Sequence, residues 1–197
     1  MRRIAFVLGL TLALGWTGQA LAQEEHYANR PYELNVNAGA HFLDDAEDTD
    51  VGFGARLFMN RPSGFGFGGN FTWILSNADF DGDDFDVNTY LYSGEVEYTF
   101  GAPGQLHPFV GAGIGAATIK VSDVPEEFDD STTELLIPLV AGIKWFNRTN
   151  DPNWAFRGDI RDNIIRFGGD DDADIDSETT HNWEVSGGLS LLFGGGM

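Results

Sequence analysis

Apolar and polar residues alternate with a period of two along most of this chain, and the alternation is clearest near its end. Trp183, Val185, Gly187, Leu189, Leu191 and Phe193 fall on one face of an extended segment, and Glu184, Ser186, Gly188, Ser190 and Leu192 on the other. That period is a strand's. About ten residues with an aromatic near each end is the length a tilted strand needs to cross a hydrocarbon layer. A lone strand in lipid leaves its backbone groups unsatisfied, so earlier segments must supply its partners.

The same pattern predicts seven such partners. The first runs from Pro31, with Leu34, Val36, Ala38, Ala40 and Phe42 opposite Glu33, Asn35, Asn37, Gly39 and His41. The second sets Val51, Phe53, Ala55, Leu57 and Met59 against Gly52, Gly54, Arg56 and Phe58, and the third points Phe65, Phe67, Gly69, Phe71, Trp73 and Leu75 outward. In the fourth, Tyr90, Tyr92, Val96, Tyr98 and Phe100 oppose Thr89, Ser93, Glu95, Glu97 and Thr99. The fifth, over 108–117, alternates Val110, Ala112, Ile114 and Ala116 with glycines, which suits a narrow interior where bulky neighbours need room. The sixth spans 135–146, where Pro138 removes a ladder donor, and the seventh runs from 153 to about 166.

The connections divide into two sets. Those after strands one, three, five and seven (44–50, 76–86, 122–134 and 168–178) read as long acidic loops, whereas those after two, four and six are short and hold Arg61, His107 and Arg148. Alternate connections of an up-and-down barrel lie at one rim, so the acidic loops belong to one side of a membrane and the turns to the other. The expected fold is therefore all-β, an eight-stranded antiparallel up-and-down transmembrane β-barrel. A soluble barrel would leave Phe65, Phe67, Phe71 and Trp73 as an apolar band in water.

Residues 1–22 have the layout of a secretory signal peptide: Arg2 and Arg3, an apolar run over 4–14, and Ala20-Leu21-Ala22 before Gln23. The run is too short for a spanning helix, so the expected mature protein is one barrel domain over 23–197. The chain has no cysteine, which excludes disulfides, zinc-thiolate sites and cysteine nucleophiles. With 31 acids against 11 bases, nucleic acid and anionic head groups are poor partners for the protein as a whole, and cations or basic partners better ones.

The segments PFVGAGIGAA, WAFRGDIRDNIIRF and WEVSGGLSLLF resemble the small eight-stranded outer-membrane barrels, the group that includes the OmpA transmembrane domain and OmpX. The resemblance implies the outer membrane of a Gram-negative-type bacterium, with outer-membrane lipid and lipopolysaccharide as surroundings. It also implies a terminal strand read by the barrel-assembly machinery, and a monomer. Gly194-Gly195-Gly196-Met197 departs from chains that stop at the aromatic, and no peptidoglycan-binding domain is expected.

An eight-stranded barrel is just wide enough for side chains to fill. The charges expected inside are Arg56, Glu95, Glu97, Lys144, Arg157, Asp159, Arg161 and Glu184, and in so narrow a space they should pair as a structural core; a narrow ion path is the alternative. Asp79, Asp81 and Asp83 have the spacing of a calcium loop, but the twelfth position is Asn88 and no flanking helices are predicted, so a loosely held divalent cation is the most these residues suggest. No other cofactor is expected. Among enzymatic outer-membrane barrels, a lipid A deacylase needs a His activating a Ser. His181 could point inward or sit at the outer rim, but Trp183 stands where that family's His-x-Ser arrangement wants serine, and His41 beside Asp44 and Asp45 reads as a surface residue. No catalytic residue is expected. The sequence points to a structural or surface-interaction role, with a narrow channel and a lipid-modifying enzyme as alternatives.

Overall fold

A computed structural model describes residues 29–43, 49–80, 83–101, 105–121, 131–149, 151–167 and 179–195. The strands are β1 (Tyr32–Leu43), β2 (Thr49–Asn60), β3 (Phe65–Phe80), β4 (Asp83–Thr99), β5 (Leu106–Val121), β6 (Ser131–Phe146), β7 (Trp154–Arg166) and β8 (Thr179–Phe193). Each pairs antiparallel with the next, and β1 pairs with β8 from Tyr32↔Phe193 to Leu43↔Asn182, which closes the barrel. The expected signal segment and most of the expected acidic loops lie outside the described residues.

The two faces are inverted relative to a soluble domain. Ile114, Val36, Leu57 and Ile160 are more than half exposed on the outer wall, whereas Lys144, Arg56 and Arg161 inside are at most 1 % exposed. An apolar exterior around a polar interior is stable only when the exterior contacts lipid. The alternation read from the sequence is thus the signature of a wall between hydrocarbon and a polar lumen.

The structure corrects one connection. Segment 76–86, expected as a loop, is mostly a hairpin in which the β3–β4 ladder continues from Ser76↔Val87 through Phe80↔Asp83. The β2–β3 ladder stops at Val51↔Leu75 and the β4–β5 ladder at Val87↔Val121, so this ribbon extends past its neighbours. The alternation continues along this ribbon, Ala78 and Phe80 with Phe85 and Val87 at one set of positions against Asn77, Asp79, Asp84 and Asp86, and Asp81-Gly82 is a two-residue hairpin signal; the density of acids is what reads as a loop. Only residues 81–82 separate β3 from β4, and the connection is short. Asp79 and Asp83 therefore stand on paired strands rather than in a calcium-type loop, and Asp81 lies outside the described residues.

Local chemistry sets the opposite rim. Gly64 ends the β2–β3 turn at φ 90°, a conformation that favours glycine, and donates from its N–H to the Arg61 carbonyl at 2.9 Å. In the β6–β7 turn the Asn147 side-chain carbonyl accepts from the N–H groups of Asn153 at 3.2 Å and Trp154 at 3.4 Å. Pro138 has the expected effect: the β5–β6 ladder breaks after Ala112↔Leu139 and resumes at Gly115↔Leu136, while on its other side Pro138 stays opposite Asn163.

Inward glycines make room for large neighbours. A Cβ on Gly142 would lie 2.7 Å from Cζ of Phe109 and 2.8 Å from Cβ of Asp159, and would also meet the Gly158 carbonyl, which belongs to the wall and cannot move aside. Outward-facing Gly94 has open space around its Cβ position. Gly142→Ala is expected to lower the unfolding free energy of the detergent-folded barrel by about 1–3 kcal/mol through overpacking, with Gly94→Ala leaving it within about 0.5 kcal/mol. Urea titration followed by heat-modifiable gel mobility measures both.

Candidate functional site

Strand alternation carries polar side chains from six strands into one narrow space. Glu33 comes from β1, Arg56 from β2, Glu95 and Glu97 from β4, Lys144 from β6, Arg157, Asp159 and Arg161 from β7, and Glu184 from β8; all are at most 5 % exposed. Eight of these are the charges placed inside by the sequence. Glu33 is the ninth, and its place on the polar face of β1 was the available signal.

They form one continuous chain of ion pairs. Lys144 Nζ lies 2.8 Å from Glu33 and also contacts Glu97, whose other oxygen is 2.7 Å from Arg157. Arg157 donates to Asp159 at 2.9 Å, and Asp159 accepts from both Arg56 terminal nitrogens at 2.6 and 3.1 Å. Arg56 reaches Glu184 at 3.4 Å, Glu184 lies 3.7 Å from Arg161, and Arg161 holds both oxygens of Glu95. Neutral groups take remaining lone pairs: Ser190 donates to Glu33 at 2.7 Å, Ser93 to Glu95 at 2.7 Å and Ser186 to Asp159 at 3.0 Å. Burying charges this deeply is tolerable only with such pairing.

Apolar side chains bound the ionic layer at both ends. Toward the short turns, Phe146, Ala155 and Leu192 form a buried cluster, and Phe58 and Phe109 are also buried. Arg157 bridges the layers, its guanidinium 4.0 Å from the Phe109 centroid and 6.0 Å from that of Phe58. Toward the other rim, Ile74, Leu91, Ala117, Leu136 and Ile165 pack as a second cluster. Along β7 the order is visible in sequence: Ala155, then Arg157, Asp159 and Arg161, then Ile165.

The two histidines considered for catalysis lie elsewhere. His41, expected at the surface, is 1 % exposed and points inward, with Nδ1 3.2 Å from Oδ1 of Asn182 and its ring in the space left by Gly52. The alternation of β1 continues through it, which outweighs its acidic neighbours in the chain. His181 points outward at the same long-loop rim, its Nδ1 3.0 Å from both oxygens of Asp162. A carboxylate thus orients the ring, but no described hydroxyl hydrogen-bonds to it. The described residues hold no group of three or more metal-ligating side chains.

Lys144→Met would leave Glu33 without its cation and Glu97 with Arg157 alone. The expected loss is about 3–5 kcal/mol of unfolding free energy, the usual cost of stranding a buried charge, and Glu33→Gln added to it should recover part of that loss. A double-mutant cycle in urea measures the coupling.

The family described as outer membrane protein beta-barrel domain matches residues 8–190. Among solved structures, the fold is similar to that of Neisserial surface protein A, at TM-score 0.63 and 16 % identity, over 83 % of this chain and 97 % of that one. It is also similar to Ail, the attachment invasion locus protein of Yersinia pestis, at TM-score 0.52 and 13 % identity, over 83 % and 99 %. A structure of Ail in complex with the heparin analogue sucrose octasulfate matches at TM-score 0.50 and 14 % identity, over 81 % and 96 %. No curated protein matches the chain in sequence.

Proposed function

Because the chain belongs to the outer membrane protein beta-barrel domain family, and is thus a small outer-membrane barrel, we propose that it is neither a pore nor an enzyme. In this reading it is a structural wall element that presents an acidic outer surface to cations and basic partners. The observation that carries the reading is the filled lumen. A continuous ionic layer fills the lumen, with buried apolar clusters toward each rim, so an ion moving along the axis would have to displace paired charges.

The acidic surface follows from charge distribution. Segments 44–50, 76–86, 122–130 and 168–178 contain no Lys or Arg. A field of that sign concentrates cations and basic partners and repels polyanions. A polyanion such as the sucrose octasulfate seen with Ail is therefore a poor fit to this end of the barrel.

Two measurements test this. Planar bilayers containing the folded protein are expected to show no stable single-channel current, and a reproducible unitary current would overturn the closed-lumen reading. Calcium is expected to raise the temperature at which the folded gel band is lost, by about 1.4 kcal/mol of added stability at ten times its dissociation constant. Replacing Asp170, Asp171 and Asp172 with Asn should reduce that gain, and a calcium response unchanged by the triple variant would remove those residues from the surface role.

A further inference from the structure

The net charge of −20 is unevenly distributed over the described residues. Among the described residues, the charges outside the lumen at the short-turn end of the barrel are Arg30, Arg61, Arg148 and Asp151. Arg30 and Asp151 cancel each other: Nε and a terminal nitrogen of Arg30 donate to the two Asp151 oxygens at 2.9 and 3.1 Å. The hydrogen bond from Arg30 holds the Asp151 carboxyl below its ordinary range, so it stays ionised at neutral pH. Arg148 also acts on the Asp151 carboxylate, whereas no described carboxylate forms an ion pair with Arg61.

Arg61 faces the bilayer side of the rim. The Arg61 guanidinium lies 5.5 Å from the centroid of Phe67, a ring on the lipid-facing wall, and Phe65, Tyr98 and Phe100 pack in sequence nearby with centroids 4.9 and 5.0 Å apart. Arg148 sits in the turn between β6 and β7, whose ends carry Trp145, Trp154 and Phe156 in mutual contact at 5.3 to 5.8 Å. Clustered Trp and Tyr mark the depth at which hydrocarbon meets head groups. At that depth a guanidinium beside an apolar wall is placed to hold phosphate oxygens while acyl chains lie along the rings.

We infer that this rim is a docking surface for anionic phospholipid of the phosphatidylglycerol class in the leaflet that the short turns face. Each arginine meets the phosphate alone, with no enclosing pocket, so the contact depends on the lipid tails for the rest of its hold. Free phosphate lacks those tails. The outer rim, with its acidic segments, has the wrong sign for the same ligand.

The test uses the full chain folded into phosphatidylcholine vesicles, with either brominated phosphatidylglycerol or brominated phosphatidylcholine added at equal mole fraction. Quenching of tryptophan fluorescence reports which lipid lies against the wall. The wild type is expected to be quenched more strongly by the anionic lipid. Arg61→Gln and Arg148→Gln should each lower the relative association constant about five-fold, and the double variant should abolish the preference. Lys120→Gln with Arg166→Gln, at the other rim, should leave it intact. Equal quenching in the wild type would overturn the inference, as would a preference that survives the double variant or falls equally with the outer-rim pair. Displacement by glycerol phosphate at matched ionic strength would mark a free-phosphate site and overturn the lipid assignment. Heat-modifiable mobility verifies folding of each variant, and either single variant suffices if the double variant does not fold.

Discussion

Hydrocarbon offers no partner for a backbone N–H or C=O, and everything distinctive about this barrel follows from that. A sheet in lipid must have no edge, so β1 returns to β8, and the seam is reinforced where Tyr32 stacks on Phe193 at 5.7 Å. Closure with eight strands makes the interior narrow. Because alternate residues must then face that interior, charges from strands far apart in the chain are forced within reach of one another. Arg56 and Asp159 are 103 residues apart in sequence and share two hydrogen bonds. The ion network is in this sense a consequence of closure, and its cost is bearable because each carboxylate meets at least one cation.

The network also constrains the register. Slipping one strand by a single residue would turn its charges toward lipid and its aliphatic residues into the lumen. On β7 such a slip would expose Arg157, Asp159 and Arg161 together, since all three share one face. Pairing across the barrel thus opposes misregistered closure more strongly than hydrophobic pattern alone, as buried polar groups do where they fix one arrangement among several.

How far the sequence could be read depended on where the membrane acted. Between the two interfaces, hydrocarbon imposes apolar side chains on one face and the narrow lumen imposes polar or small ones on the other, so all eight strands and the faces of Arg56, Glu95 and Lys144 were legible. Along the β3–β4 extension Ala78, Phe80, Phe85 and Val87 still alternate with Asn77, Asp79, Asp84 and Asp86 about Asp81-Gly82, but the run of aspartates outweighs that signal and reads as a loop. His41 shows the same limit from the other side: its neighbours Asp44 and Asp45 suggested water, but its position on β1 decided its surroundings. Alternation says which way a residue points and not what it meets across the lumen. The pairing of Arg161 with Glu95 rather than with Asp159 is therefore a tertiary result, as is the placement of Arg157 between two phenylalanines.

The break opposite Pro138 gives the wall an uneven stiffness. Where the β5–β6 ladder skips Gly113 and Ile114, two neighbouring strands are held by packing, with the pyrrolidine ring 3.1 Å from where a Gly113 Cβ would stand. A hoop with one softened segment deforms there first. Changes in bilayer thickness or lateral pressure will therefore be absorbed mainly as ovalisation of the cross-section toward β5 and β6, leaving the seam between β1 and β8 nearly undistorted.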